Sequence, residues 1–356
     1  MRHRRCLVVV LVLLAALGAC PRHEREAART SPRSTWDGEI FASRWRVVVP
    51  TTTAASTTAD FDAVLPATLR EVEAQLSAWR ADSEVNRCLQ VPANTPCPIA
   101  SATAAVLSTC LDVARDSEGA FDITVAPVLA LWGFSPTTKR AAIGPPSPTE
   151  IAAALARVDS SAVVVAPGPP ASLTRTRDDV SIDATAVTDG AAAQAIARLL
   201  WQRGLRHFLV DVAGEVVVAG SADGAAAPWQ VGLSNPLAHG ADGGGDDVSG
   251  AVVALRGPGL VALSTSGSTR DLREVGGRTV SHIVDPRVGV PVVNDVVACT
   301  VVGPDVVVAD ALSTACMVLG PQAMPALLAK YAGTSALYAY GDGRLVPEGA
   351  FPALQR

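Results

Sequence analysis

Apolar residues return at helical spacing in two early stretches of the chain. Over Thr68–Trp79, Leu69, Val72, Leu76 and Trp79 share one face, and Ala102–Ala114 repeats the pattern. Both predict amphipathic helices. An Ala-rich helix is predicted over Thr188–Leu200, where Ile196, Leu199 and Leu200 supply the bulk. The pattern then changes to β. Phe208–Val218 is a β-branched run broken by Ala213-Gly214-Glu215, which predicts a strand, a tight turn and a second strand. Further strands are predicted at Trp229–Leu233, Ala251–Leu255, Leu260–Leu263 and Val297–Val302, followed by a helix over Val306–Leu319 and a shorter one around Met324–Tyr331. Helices that come in groups, rather than alternating strictly with strands, indicate the α+β class. The expected architecture is a single two-lobed domain over residues 36–356, with mixed or antiparallel sheets. Two stretches read as inserted loops without chemistry, the Pro-rich Pro136–Pro170 and the Gly- and Asp-rich His239–Gly250.

Composition narrows the class. The chain has 356 residues, 49% hydrophobic and 18% charged, which excludes disorder and a small disulfide scaffold. Beyond residue 20 there is no uninterrupted apolar run of about 18 residues, so a polytopic membrane protein is excluded too. A formal net charge of -5 and the lack of a basic cluster argue against nucleic acid as a partner.

The first residues set the expected compartment. Residues 1–19 begin with Met-Arg-His-Arg-Arg, continue through an apolar stretch from Cys6 to Ala16, and end in Leu17-Gly18-Ala19 before Cys20. This is the pattern of an export signal. The Leu-Gly-Ala-Cys ending resembles the lipobox of bacterial lipoproteins, in which the cysteine thiol is acylated. Cys20 is then the lipid anchor and residues 20–35 a flexible stalk. The alternative is an ordinary signal peptide with a chance cysteine. Either way the body is extracytoplasmic, and with the anchor it is tethered to a bacterial membrane at its periplasmic face or at the cell surface. Beyond Cys20 the cysteines are Cys88, Cys97, Cys110, Cys299 and Cys316, with no zinc spacing among them. Cys88 and Cys97 either close a short disulfide loop or are two buried thiols.

Four islands carry a family resemblance. They are Leu76-Ser77-Ala78-Trp79-Arg80-Ala81-Asp82-Ser83-Glu84-Val85, then Gly119 to Pro127 running on to Leu131-Trp132-Gly133-Phe134, then Ser281-His282-Ile283-Val284-Asp285-Pro286-Arg287, and finally Ala309-Asp310-Ala311-Leu312-Ser313-Thr314-Ala315. In that order and at those separations they resemble the ApbE family of FAD:protein FMN transferases. The resemblance implies an extracytoplasmic enzyme that binds FAD and Mg²⁺, moves FMN onto a Thr or Ser hydroxyl of another protein, and releases AMP. It further implies an acceptor subunit in a membrane redox complex of the Nqr or Rnf type. Family members that hydrolyse FAD instead break the same pyrophosphate bond.

The candidate site residues follow from the residues and the resemblance together. Asp310 and Thr314 are four apart on a predicted helix, so a carboxylate and a hydroxyl leave one face, a pairing suited to a hard oxygen-ligated cation such as Mg²⁺. The bland alternative has Asp310 capping the helix and Thr314 bonding back to a carbonyl. The resemblance adds the backbone carbonyl of Ala186 as the remaining protein ligand. His282 is either a general base for the acceptor hydroxyl or a hydrogen-bonding clamp on the flavin. Ala120, Phe121 and Asp122 match the family's FAD-contacting segment, with Phe121 equally readable as core. Phe41 and Trp79 are rings that either stack on the nucleotide or pack in the core. The resemblance also places Asp183 at the aspartate opening a ligand loop, and Asp189, Ser266, Gly267 and Ile283 at the flavin nucleotide.

Several positions depart from the family pattern. Family members commonly carry Asn where Leu89 stands, Lys or Glu at Asp189, Gly at Ala213 and Thr at Val288. The Ala213 change matters only if the backbone there needs positive φ or a close ligand approach. Such erosion on the flavin side keeps two other functions open, an FAD pyrophosphatase and a non-catalytic flavin-binding lipoprotein.

Overall fold

The β-branched runs assemble into an eight-stranded sheet whose neighbours are all antiparallel. Its order is Arg33–Ile40, Ser43–Pro50, Phe208–Val212, Glu215–Gly220, Gly257–Gly267, Val296–Gly303, Ser335–Tyr340 and Leu345–Glu348. The computed structural model describes residues 33–41, 43–52, 55–135, 144–234, 248–269 and 271–355. Within it Ser31–Arg356 is one compact unit. The leader, Cys20, most of the stalk and most of the His239–Gly250 loop lie outside the described residues. The first strand starts at Arg33, which pairs with Pro50, so the last three residues of the expected stalk belong to the sheet.

Period-two alternation sorts the strand residues between two cores. Val217, Ala219, Ala262 and Val301 join a core shared with the helices. Val216, Val218, Leu263 and Val302 pack instead on a three-stranded sheet of Trp229–Ser234, Val248–Leu255 and Leu354–Gln355. The molecule is thus helices, large sheet and small sheet in layers, an α+β arrangement with antiparallel sheets. On the helix side, Thr185–Gln202 packs against Val306–Leu328, flanked by Phe61–Leu76 and Ser101–Asp116. Val306–Leu328 is long and apolar enough to cross a membrane, but its burial in this core accounts for the composition. At Gly320 its backbone turns to φ 70° with Pro321 following, which separates the two helices predicted there.

Three expectations change. Pro136–Pro170 is not an inserted loop where it is described: it holds a helix at Pro148–Leu155 and a strand at Val163–Ala166 paired with Ala171–Arg175. Ser147 and Glu150 form a capping box with Pro148 in the first turn, and that signal outweighs the weak apolar pattern. The first large helix runs Phe61–Leu76 and stops before Trp79, which is 69% exposed and so lies on no buried face. The Ser335–Tyr340 strand was not predicted, although Leu337 and Tyr338 are buried in it. Among the cysteines, Cys88 and Cys97 form the disulfide, and Cys110, Cys299 and Cys316 are free and buried.

Candidate active site

The two long helices meet the sheet where strand alternation has already placed polar groups. Glu215 shares its face with Val217, and Ser264 and Ser266 share theirs with Ala262, so all three point toward the helices. Asp305 caps the helix that begins at Val306, accepting from the N–H groups of Val307 and Val308. Asp310 is therefore not the cap. It lies inside the helix, buried, where its Oδ2 accepts from the Gly190 N–H at 3.2 Å and its Oδ1 from the Ser264 hydroxyl at 3.2 Å. In a regular helix that Gly190 N–H would serve the carbonyl of Ala186, so Asp310 competes with Ala186 for it. A Cβ on Gly190 would stand 2.6 Å from Asp310 Oδ2, so only glycine lets the two helices come this close here.

Hydroxyls carry the network onward to Thr314. Ser264 Oγ lies 3.3 Å from Ser313 Oγ, which lies 2.7 Å from Ser266 Oγ, which in turn lies 3.0 Å from Thr314 Oγ1. Thr314 thus faces the strand. Around this chain of hydroxyls the carboxylates crowd. Burial, together with the charge of Asp189, raises Asp310 well above the ordinary carboxylate range. Burial, then the charge of Asp310, does the same to Glu215. Burial alone pushes Asp189 up to about 6. Asp189 Oδ1 and Glu215 Oε2 are buried without hydrogen-bond partners.

These residues fit a divalent cation. Each Asp310 oxygen has accepted one donor and retains a lone pair, and the orphaned oxygens nearby are negative charge without a partner. The described residues contain no cage of three or more acidic, His or Cys side chains.

The histidine side is built differently. His282 stands at the end of a small hairpin, Leu272–Val275 with Arg278–Ser281, and begins a second, Val284–Asp285 with Val290–Pro291. Its ring meets Phe134 edge-on with centroids 6.3 Å apart, and the Arg273 guanidinium lies over Phe134 at 5.3 Å. Beneath it Val128, Ala154 and Val284 form a separate small core, so the capped helix Pro148–Leu155 supports this half of the site. Trp132 Nε1 donates to the carbonyl of Gly289 at 2.9 Å and anchors the Asp285–Gly289 turn. Arg287 pairs with Asp285 within that turn.

The Gly119–Thr124 segment runs between the two halves. Ile123 accepts from the Asp183 N–H at 2.7 Å, and Gly119 lies against the Arg287 side chain. The segment is tightly held within the protein. Ala120 and Phe121 are buried, and the Asp122 carboxylate is taken up by the Thr124 N–H, the Thr124 hydroxyl and the Ser160 N–H. It shapes the turn. Asp183 similarly accepts from the Thr185 N–H, just ahead of the helix that carries Ala186 and Asp189. Ala186 itself is exposed in the first turn. Phe41 sits at positive φ in the hairpin between the first two strands, half-buried against the main core. Trp79 is the ring left open, on a loop held by Asn86, whose amide donates to the carbonyls of Ser77, Ala78 and Arg80. Ser266 belongs to the hydroxyl network, Gly267 follows it opposite Ala298, and Ile283 is buried. Glu215, Ser264 and Ser313 were not singled out as site residues, although alternation from Val217 and Ala262 was enough to place the first two.

Fold and site together define an α+β protein with a buried carboxylate and hydroxyl network between helices and sheet, and a histidine carried on a separate hairpin. The ApbE family model matches residues 41–338, and the chain belongs to the ApbE family. It is 32% identical to a FAD:protein FMN transferase of Klebsiella pneumoniae over 320 residues, 90% of this chain and 87% of that one. It is 31% identical to the FAD:protein FMN transferase of Escherichia coli K12, covering 88% and 87%. Among solved structures, the flavin transferase ApbE of Vibrio cholerae superposes with a TM-score of 0.73 at 26% identity, covering 90% of this chain and 99% of the other.

Proposed function

We propose that this protein is a Mg²⁺-dependent FAD:protein FMN transferase. The observation that carries the reading is the Asp310–Ser264–Ser313–Ser266–Thr314 network inside a family match that spans most of the chain. The acceptor hydroxyl oxygen attacks the phosphorus of the FMN half of FAD. The pyrophosphate P–O bond breaks, AMP leaves with that oxygen, and His282 takes the hydroxyl proton. Asp310, Thr314 and the carbonyl of Ala186 are the residues that would hold Mg²⁺. Bound there, it supplies positive charge for the pyrophosphate and the leaving AMP oxygen. Ser266 orients Thr314, and Gly190 with Ser264 orients Asp310. Trp79 offers the free aromatic face on which a planar ring of FAD would stack.

The compartment belongs to the same proposal. The leader and Cys20 support an anchored extracytoplasmic enzyme, and the Cys88–Cys97 disulfide suits an oxidising compartment. The acceptor is then a subunit of a membrane redox complex, of the Nqr or Rnf type that the resemblance implies.

The test uses the body lacking residues 1–20, with FAD, with and without Mg²⁺, and a Thr-containing acceptor domain from a flavinylated redox subunit. The expected result is an acceptor heavier by one FMN unit and an equal amount of AMP, both only with Mg²⁺. AMP without the mass change would mean hydrolysis, and intact bound FAD would mean a flavin binder.

A further inference from the structure

The end of the large sheet opposite the candidate active site is basic, and strand register locates it. Arg33 pairs with Pro50, Val48 with Leu209 and Phe208 with Ala219, so Pro50, His207 and Gly220 fall in one row, and Gly220 pairs with Gly257. Glu215 opens the strand that Gly220 closes, and Ser264 and Ser266 lie farther along the strand that begins at Gly257. About 20 Å of strand separates that row from these site residues. The helix Thr185–Gln202 spans the same interval, with Asp189 and Gly190 near its start and Arg203 just past its end.

Two adjoining hollows of about 280 and 460 Å³ lie at this end and share His207. Arg203 and Arg206 line one and Arg256 the other, and among the described residues no carboxylate lines either. The His207 Nδ1 accepts from the Ser221 N–H at 3.0 Å, so the neutral ring carries its proton on Nε2, as a donor. Neutral partners hold the guanidinium groups in place. Arg206 donates to the carbonyls of Trp201 and Leu205 and lies 4.1 Å over the Trp201 ring. Arg256 donates to the Ala226 carbonyl at 2.6 Å, and Arg33 lies 5.4 Å over Trp229. Arg33, Arg206 and Arg256 are exposed, and none of them pairs with a carboxylate among the described residues. Nearby, the Asp60 carboxylate is taken by Arg203, and that of Asp223 by the N–H groups of Ala225, Ala226 and Ala227.

We propose that this end of the sheet sits on the anionic phospholipid headgroups of the membrane that holds Cys20. This rests on the lipoprotein reading of the leader. Three positioned guanidinium groups with N–H groups to spare match phosphate oxygens, which accept from them in pairs. The chain also enters the fold here. Residues 21–32 are all that lies between Cys20 and Arg33, and fully extended they reach no more than about 45 Å, so an anchor at Cys20 keeps this end of the sheet close to the bilayer. With a net charge of -5, the chain as a whole is repelled by an anionic surface, and the basic end selects the orientation. Docked this way, the protein holds Asp310 and its hydroxyl network about 20 Å farther from the headgroups, toward the aqueous compartment.

The experiment uses the body lacking residues 1–20, since Ser31–Arg356 is one compact unit. It is sedimented at low salt with vesicles of phosphatidylcholine alone or mixed with phosphatidylglycerol. Wild type should bind the mixed vesicles about tenfold or more tighter, each arginine near an anionic surface contributing about fivefold, and added salt should erase the difference. Arg206→Glu with Arg256→Glu should lose this preference, whereas Arg206→Lys with Arg256→Lys should keep it. The same charge change placed elsewhere, Arg87→Glu with Arg344→Glu, should keep it too. A wild type indifferent to phosphatidylglycerol, or an equal loss in both charge-reversed pairs, overturns the proposal while leaving the anchor standing. The anchor is tested separately on the full chain in bacterial membranes: if alkaline carbonate releases it as readily as Cys20→Ser, the lipoprotein reading falls and the docking with it.

Discussion

The carboxylate half and the histidine half of the site are built by opposite means. Asp310, Glu215 and the serines sit where two long helices close on an eight-stranded sheet, and every position is fixed by the main core. His282 stands on short hairpins over a satellite core of three buried residues with a few half-buried neighbours. The first half gains rigidity at an electrostatic cost, since its carboxylates are desolvated together. The second has little core to lose, and its turn is held by an indole hydrogen bond and an Arg–Asp pair. For the reaction proposed above, such an asymmetry would hold a cation and a pyrophosphate still while leaving the histidine side less constrained.

Substitutions in each half sharpen that contrast. The largest effect is expected from Asp310→Ala, which should cut Mg²⁺-dependent transfer by about a hundredfold to a thousandfold. Mg²⁺ should raise the wild-type melting temperature, and Asp310→Ala should abolish that rise. A variant that kept both activity and the Mg²⁺ shift would remove Asp310 from the cation site. His282→Ala comes next, with a loss of about a hundredfold in kcat at saturating FAD and little change in fold. Should FAD affinity fall while kcat holds, His282 is a clamp on the flavin rather than the base.

Smaller effects probe the strain stored in and beside the carboxylate half. Asp189 is pushed up to about 6 by burial, from an ordinary 3.8. The folded state therefore holds its proton more tightly than the unfolded one, and without a cation stability falls as pH rises between about 4 and 6. Asp189→Asn should stabilise the metal-free protein by about 2–3 kcal/mol above pH 6, and hardly at all below pH 4. Melting curves at pH 4 and pH 8 would show it, and equal gains at both would mean the buried charge is not the cause. Ala213 lies at φ 59° in the turn between Phe208–Val212 and Glu215–Gly220, so the family's glycine at this position answers a real backbone need. Ala213→Gly should raise stability by about 1 kcal/mol, read as a higher melting temperature, with transfer unchanged.

Much of the carboxylate half was legible in the chain. Helical spacing gave Val306–Leu319 and Thr188–Leu200, and with them Asp310 and Thr314 on one face, because those helices are long enough for periodicity to show. The Phe208–Val218 run with its Ala213-Gly214 turn was equally readable. The histidine was singled out too, but the scaffold beneath it was not. Its supporting helix, Pro148–Leu155, is two turns long and rich in alanine, so only the Ser147–Glu150 capping pattern announced it. The resemblance places Asp122 in the FAD-contacting segment, and only the structure shows its oxygens closing a turn onto Thr124 and onto Ser160, 38 positions away.

The sequence by itself determined the helices, the strand faces, the leader pattern and the order of the four islands, because each depends on short-range periodicity or on local residue identity. Tertiary structure alone decided that Gly190 meets Asp310 across 120 positions, that Asp305 rather than Asp310 caps the helix, and that Trp79 stays open while Phe121 is buried. Those outcomes depend on which surfaces the core brings together, and burial is a property of the whole chain that no local pattern encodes.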